Sequence, residues 1–559
     1  MKSSRFRMAI AATTVFALLA GCSSSTTTEP NASNAPSPSG APTGSSAPTS
    51  VNGKYDPPID ITTVGQNWSV IKYANGESRT DNAWTKAYSD QLGIRLKYNW
   101  VVDSTQYATK LNLSLTSGDL PDFLSVDGVQ FKQLLEADLI QDLTEVYKQY
   151  APESYKNMIQ QSGPKPMQAA TVNGKLMAFP FTGNGKEATQ VVWIRTDWLK
   201  KLGLSEPKTM DDLFKIAEAF TTQDPDGNGK NDTFGFALDK DFSYHSFVGF
   251  VNSYHAYRNM WIKSSQGSLV YGDVQPEMKN ALGKLQDLYK KGLLDKEFPV
   301  KDTAKVNEDL AAGKVGITFI DTSAAAGVLQ KVKDNNPNAE WDAYPLLSID
   351  SQPAKPQVTS TGPIAYWVVK KGYKHPEAVL KMIDFFIQSY YLTKDEKVTQ
   401  TYISSLEGVP NYLLTAASSY MPYNNLTTQT NVSSVLEGKK QVADLNPLDR
   451  AWYNRIIEFK NGNNAYWGIN KCFGINGARS IAIKYIENNM LMENEFFVAS
   501  TPVMSEKLAT LEKLRDTTFI NIITGSAGID SFDKFVDDWK KTGGDQITKE
   551  VNDWYKTLK

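Results

Sequence analysis

Ile94-Arg-Leu-Lys-Tyr-Asn-Trp100 alternates apolar and polar side chains with period two, the pattern of a strand buried on one face. Thr105 to Leu115 then has helical spacing and runs to a stop at Ser117-Gly118-Asp119. Pro121-Asp-Phe-Leu-Ser-Val126 predicts a short strand ending at Asp127-Gly128, and Gln130 to Ala137 begins another helix. Near the far end, Phe532, Phe535, Val536 and Trp539 share one helical face, and Gly543-Gly544 supply the stop. Ile547, Val551, Trp554 and Tyr555 repeat the pattern in a last helix. Strands alternating with helices predict an α/β fold.

The chain opens with Lys2, Arg5 and Arg7, then an apolar run from Met8 to Ala20, then Leu19-Ala20-Gly21-Cys22. The run has signal-peptide length and is too short for a membrane span. Small residues before a cysteine are the pattern of a bacterial lipoprotein signal. Residues 1–21 are therefore expected to be cut away and the Cys22 sulfur to carry a fatty-acylated diacylglycerol. An ordinary secretory signal, or a short core segment, is the alternative. Residues 23 to 53 are almost all Ser, Thr, Pro, Ala, Gly and Asn, with Glu29 as the one charged side chain. Such a segment has nothing to bury. As a flexible coil of about 30 residues it reaches roughly 30 Å. The expected address is the outer face of the cytoplasmic membrane, with residues 22–55 as tether.

The body that follows is long enough for two or three domains. Hydrophobic residues at 41% and a formal charge of -2 give no basic excess for nucleic acid. Of the two cysteines, lipidation of Cys22 would leave Cys472 alone, so no disulfide is expected. With only three histidines, a histidine-based metal or triad site is not expected. No phosphate-binding Gly-x-x-x-x-Gly-Lys-[Ser/Thr] loop is present.

Asp224-Pro-Asp226-Gly-Asn228-Gly-Lys230-Asn-Asp232 carries the sharpest chemistry. Oxygen side chains stand at positions 1, 3, 5 and 9, Lys230 offers a carbonyl at 7, and Gly229 takes the turn position of an EF-hand loop. Position 12 is Gly235 rather than a bidentate Glu, and Thr233-Phe-Gly-Phe-Ala reads as a strand. A structural Ca2+ is the expectation, with a solvated turn as the alternative.

Val172-Asn-Gly-Lys-Leu-Met-Ala-Phe-Pro180, Val192-Trp-Ile-Arg-Thr-Asp-Trp-Leu-Lys-Lys-Leu-Gly-Leu204 and Pro207-Lys-Thr-Met-Asp-Asp-Leu213 resemble the extracellular solute-binding proteins of ABC importers. Ser117-Gly-Asp-Leu-Pro-Asp122, Ala312-Gly-Lys-Val-Gly316 and His375-Pro-Glu-Ala378 match in the same order. The similarity is strongest to the long Gram-positive lipoprotein branch and to the alginate oligosaccharide-binding proteins, with the maltose-binding proteins as further relatives. The resemblance implies a periplasmic-binding-protein-like fold of two hinged lobes with a ligand cleft. Residues 56–185 plus about 368–480 would form the first lobe, and 186–367 plus about 481–559 the second. Crossings are expected near Phe179 to Val192 and Ile364 to Val369. A liganded monomer would dock on membrane permease subunits whose ATPases are separate chains.

Twelve Trp, 26 Tyr and 24 Phe suit an oligosaccharide ligand, because sugar C–H faces lie on aromatic planes while hydroxyls need polar edges. Trp68 follows the strand-like Ile59 to Val64, and Asp127 ends another strand. Glu187, six residues before Trp193, has a spacing similar to that of a sugar-contacting Glu in maltose-binding relatives. Trp193, Arg195, Trp261, Tyr366 and Trp367 complete the candidate ligand set, with core or hinge packing as the alternative for each. Ile320-Asp321-Thr322 replaces a ligand-stacking Trp of maltose-binding relatives, which argues against assuming maltose. A calcium-dependent surface glycosidase or lyase would need a carboxylate pair about 5 Å or more apart. No local carboxylate motif stands out, and the order of the family-like segments favours binding without turnover, so no enzyme is expected. An adhesion lipoprotein would show no ligand-dependent closure.

Overall fold

The computed structural model describes residues 49–558 apart from 52, 74–75, 184, 244 and 405–409. Cys22, the expected signal peptide and the tether up to residue 48 lie outside the described residues.

The first lobe begins with β1 (Ile59–Asn67), which pairs in parallel with β2 (Ile94–Asp103). Ile59 and Ile61 point inward from β1, while the intervening Asp60 faces water and pairs with Arg95. Helix α1 (Ser104–Ser117) ends where Gly118 turns to φ +72, a left-handed cap that glycine takes without steric cost. β3 (Phe123–Val126) follows, and the Asp122 carboxylate joins it to β1 by accepting from the Thr62 amide (2.7 Å) and hydroxyl (2.8 Å). Helix α2 (Gly128–Glu136) starts on a reciprocal cap between Asp127 and Gln130. β4 (Phe179–Phe181) ends this part of the lobe.

The chain then crosses to the second lobe and forms β5 (Gln190–Arg195), α3 (Thr196–Lys201), α4 (Met210–Thr222), β6 (Phe234–Phe236), β7 (Val315–Asp321) and β8 (Trp341–Tyr344). Strand order is β6-β7-β5-β8, with β6 and β7 parallel and the other pairs antiparallel. Residues 191 to 195 of β5 and 315 to 320 of β7 are all buried. A sheet covered on both faces needs such unbroken apolar runs. Val192 and Ile194 face one core with Leu213, Phe220 and Phe519, whereas Val191 and Trp193 face another with Trp341, Ile456 and Trp467.

After a second crossing, β9 (Ala365–Val369) inserts antiparallel between β3 and β4, setting Tyr366 opposite both Val126 and Pro180. The crossing is the stretch before β9, at 359–364; it meets the expected one, near Ile364 to Val369, at Ile364, and the rest of that expected stretch is β9 itself. Helix α5 (Glu377–Ile387) packs its Val379, Met382, Ile383 and Phe386 into the first core.

A third crossing leads to α6 (Asn424–Leu436) and α7 (Pro447–Lys460). Their Val432 and Ile456, with Trp467, Cys472 and Tyr485, join the core under Trp193. The expected assignment of 368–480 to the first lobe therefore fails from Asn424 onward. Among the described residues, the buried side chains from Tyr366 to Ala417 join the first core, whereas those of the helices that follow cover the outer face of the β5–β7 sheet.

The fourth crossing leads to α8 (Pro502–Thr524), α9 (Ser531–Trp539) and α10 (Asp545–Lys556). Phe519, Phe532 and Trp539 close the core on the other face of that sheet. Gly543, at φ +149, breaks the last two helices apart as the Gly-Gly pair predicted.

Candidate functional site

The lobes are joined where the four crossings lie side by side. Ile364 donates its amide to Phe181 (2.7 Å), Tyr420 to Thr182 (3.1 Å), and the Thr361 hydroxyl to the Asn494 carbonyl (2.8 Å). Contact is close enough that a Cβ on Gly185 would stand 2.4 Å from the Ser360 carbonyl oxygen. Glycine is required there because two backbones meet.

Charge ties the crossings together. The Lys186 ammonium reaches Glu493 (2.5 Å), which also accepts from Lys165 of the first lobe (3.0 Å). Burial opposes ionisation of Glu493, but hydrogen bonds from Lys186 and Lys165 outweigh it and hold the carboxyl below its usual range. Glu187, buried to 2% exposure, accepts from the Asn425 amide (2.6 Å) and side chain (2.7 Å) and from the Leu426 amide (3.2 Å). A carboxylate at the first turn of α6 also favours the helix dipole. Glu187 thus anchors the third crossing on the first.

Three cavities are walled by both lobes or by the crossings themselves. The largest, 1120 Å3, lies between α2 of the first lobe and α10 of the second, with Phe131, Tyr366, Phe496 and Trp554 in its walls. Another of 830 Å3 opens between the 390–412 stretch and α7, walled by Tyr390, Tyr412, Trp452, Tyr466, Arg450 and Arg455. Arg455 lies 4.7 Å over the Trp452 ring. A smaller one of 310 Å3 sits at the start of β5, around Gln190, Asp241, Arg258 and Gln357. Aromatic planes next to charged and amide edges can hold a polar ligand that has apolar faces.

The expected ligand residues divide. Trp68 is 37% exposed just beyond the end of β1. Tyr366 borders the largest cavity, with one ring face stacked on Phe131 at 4.3 Å. Asp127 is the cap of α2, accepting from the Gln130 amide (2.8 Å). Trp193 is fully buried and donates its indole N–H to the Asp321 carbonyl, so it packs the sheet rather than facing the cleft. Arg195 is spent on Asp197 (2.6 and 2.8 Å) and stacks on Trp198. Trp261 packs against Tyr271 in the second core, and Trp367 stacks on Phe181 while donating to the Ser418 carbonyl (2.8 Å). These four are corrected to packing roles. The sequence reading missed Arg455, Trp452, Gln190 and Arg258. An Arg three residues after a Trp on one helix was the available sign for the first pair.

Asp224 accepts from the amides of Gly227 (3.0 Å), Asn228 (3.1 Å) and Gly229 (3.1 Å), and the two glycines take φ +76 and +73. The Asn228 amide donates to Asp226 (2.7 Å) and Asp232 (3.0 Å). Burial and a hydrogen bond shared with Asp224 raise the Asp226 carboxyl above its usual range. Among the described residues no three acidic, histidine or cysteine side chains form a ready metal cluster. Even so, a positively polarised NH2 group already sits between the carboxylates at positions 3 and 9. Oxygen side chains are the donor type calcium prefers, but here Asn228 turns its NH2 to the carboxylates while its Oδ1 accepts from the Lys230 amide (2.7 Å). Lys201 of α3 bonds the Pro225 carbonyl (2.9 Å), linking the loop to the helix that follows β5.

A family model described as bacterial extracellular solute-binding protein matches residues 54–389, more than half of the chain. Lipoprotein LipO of Bacillus subtilis is 26% identical over 489 residues, 85% of this chain and 89% of LipO. The polygalacturonan/rhamnogalacturonan-binding protein YtcQ of the same organism is 25% identical over 521 residues, 91% of this chain and 94% of YtcQ. Among solved structures, the ABC-transporter substrate-binding protein FusA of Streptococcus pneumoniae in complex with kestose superposes with a TM-score of 0.58 at 20% identity, covering 90% of this chain and all of that one.

Proposed function

Because the chain belongs to the bacterial extracellular solute-binding proteins, we propose that it captures an oligosaccharide between its two lobes and hands it, unaltered, to an ABC permease. The observation that carries this reading is the junction itself. Two lobes with separate cores are joined by four adjacent crossings, and aromatic- and arginine-walled cavities lie between the lobes. Hinge closure needs that arrangement. Polygalacturonan/rhamnogalacturonan binding by YtcQ and kestose in FusA support a saccharide as the ligand class. Capture needs no bond-breaking chemistry, and the protein is proposed to act as a monomer without enzymatic activity.

A diacylglycerol on Cys22 would hold the protein at the outer face of the membrane, with the Ser/Thr/Pro tether giving it reach. LipO, named a lipoprotein, supports that placement. Calcium in the Asp224–Asp232 loop would serve as a structural ion, fixing the segment between α4 and β6. Trp68 and Tyr366 remain the proposed aromatic contacts.

Thermal unfolding with a panel of kestose, maltotriose, cellotriose, xylotriose and trigalacturonate tests the reading. A bound ligand at a hundredfold excess over Kd adds about 2.7 kcal/mol. X-ray scattering should show the lobes closing with the same saccharide. A panel that leaves both stability and scattering unchanged would remove the support for an oligosaccharide.

A further inference from the structure

The 310 Å3 cavity at the start of β5 is at the small end of ligand-pocket sizes, which run from about 300 to 1,000 Å3. Its walls are held rigidly. Gln357 accepts from the Arg258 amide (3.0 Å), donates to the Arg258 carbonyl (2.9 Å), and is itself fixed by Asn252 (2.9 Å). Two wall residues that are not glycine, Phe242 and Asn259, are held at φ +51 and +54. For a bulky phenylalanine that conformation is strained and persists only where its surroundings enforce it. The Asn259 amide is fixed by the Asp273 carboxylate (2.8 Å) and the Phe242 amide by the Asp239 carbonyl (3.1 Å).

Arg258 is equally constrained. One terminal nitrogen, Nη2, donates to the Asp241 carbonyl (3.1 Å) and lies 3.1 Å from the Asp516 carboxylate of α8. The guanidinium rests over the Phe242 and Phe247 rings, and the side chain is 6% exposed. Its other terminal nitrogen, Nη1, is buried with no partner among the described residues, and so is Oε1 of Gln190; both residues line this cavity. Buried polar groups are almost always satisfied, and leaving one unpaired is costly. Here a donor and an acceptor are left over together.

A sugar ring carries the complement, one hydroxyl that accepts and a neighbouring one that donates. An anion fits less well. The Asp516 carboxylate already answers the guanidinium charge, and Asp241 adds another carboxylate residue to the wall. We propose that this cavity is a subsite for one neutral sugar unit, held through its hydroxyls, with Arg258 as donor and Gln190 as acceptor determining specificity. The assignment rests on the oligosaccharide reading and deepens it.

Titration calorimetry on the whole protein with the same five saccharides decides the matter. A neutral member should bind, and Gln190→Leu should weaken it at least tenfold with an unchanged melting temperature. Gln190→Glu, which keeps the acceptor, should weaken it less, and Arg258→Lys should weaken it as well. If the unaltered protein binds a neutral saccharide and Gln190→Leu binds it equally well, the subsite falls while the general function stands. Binding of trigalacturonate alone would overturn the neutral assignment. Binding of none would end the oligosaccharide reading and the subsite with it.

Discussion

The Lys186 ammonium stands 2.5 Å from the Glu493 carboxylate, fastening the first crossing of the chain to the fourth. Lys165, on the first lobe, reaches the same carboxylate and the neighbouring Asn494 carbonyl, both at 3.0 Å. A junction of neutral backbone strands is thereby reinforced by a three-member ionic group that is mostly shielded from water. Such a group restrains how far the lobes can splay without forbidding rotation.

Glu493→Gln should loosen this junction. The expected loss is about 1.5–3 kcal/mol, the scale of hydrogen bonds to a charged group. Scattering in the absence of ligand should report a broader distribution of lobe separations. The pH dependence has a fixed sign. Because the carboxyl titrates below its unfolded value, its contribution is complete above the unfolded pKa and disappears as pH falls through the lower folded one. The variant should lack that acid-side component.

Asp226→Ala should abolish whatever stability added calcium confers, since Asp226 and Asp232 are the carboxylates that Asn228 now bridges. Differential scanning fluorimetry with calcium and with a chelator measures it. An intact calcium response in the variant would rule out the loop as the metal site.

Trp193 and Trp68 should part ways under mutation. Trp193 is fully buried beneath α6 and α7, so Trp193→Ala should cost about 3–5 kcal/mol of stability. Trp68→Ala should leave the melting temperature nearly unchanged and reduce saccharide affinity. Urea unfolding and calorimetry on both variants make the comparison.

The start of the first lobe was readable because β1 and β2 are half-exposed. The alternation in 94–100 and the Gly118 stop describe local periodicity and a local backbone turn, and both appear in the structure. Central strands lack that contrast. Val191-Val-Trp-Ile194 is apolar throughout, and this unbroken run is itself the sign that Trp193 lies within a covered sheet. For 424–485, the sequence carries amphipathic helices but no mark of which core receives them. Arg258 and Asp516 meet through packing between elements far apart in sequence, so the unpaired nitrogen of Arg258 has no sequence signature. The Asp224–Asp232 loop lay in plain view because its oxygen side chains and glycines lie within nine residues of one another.

Cys472 should be inert in the folded protein. It is fully buried, and desolvation pushes its thiol up to about 11, far from the thiolate needed for alkylation. Iodoacetamide at pH 8 should label it only after unfolding in urea, with mass spectrometry as the readout.

His245 gives the folded state a second acid-labile component. Its ring is fully buried beside Asn307, which contacts Nε2 at 3.0 Å, while its own amide donates to Asp239 (2.9 Å). Burial lowers the imidazole from 6.5 to about 4, with Asp239 and Asn307 opposing the shift only in part. Between those values the unfolded chain binds a proton that the native state refuses, so stability must fall as pH falls. The loss begins near the unfolded pKa and is complete below about 4. At about 1.4 kcal/mol per unit it amounts to about 3 kcal/mol. His245→Gln keeps a polar group of similar reach and removes the titration. Its melting temperature should therefore decline less than that of the unaltered protein between pH 6.5 and 4. Parallel declines in the two proteins across that window would mean that some other group is responsible.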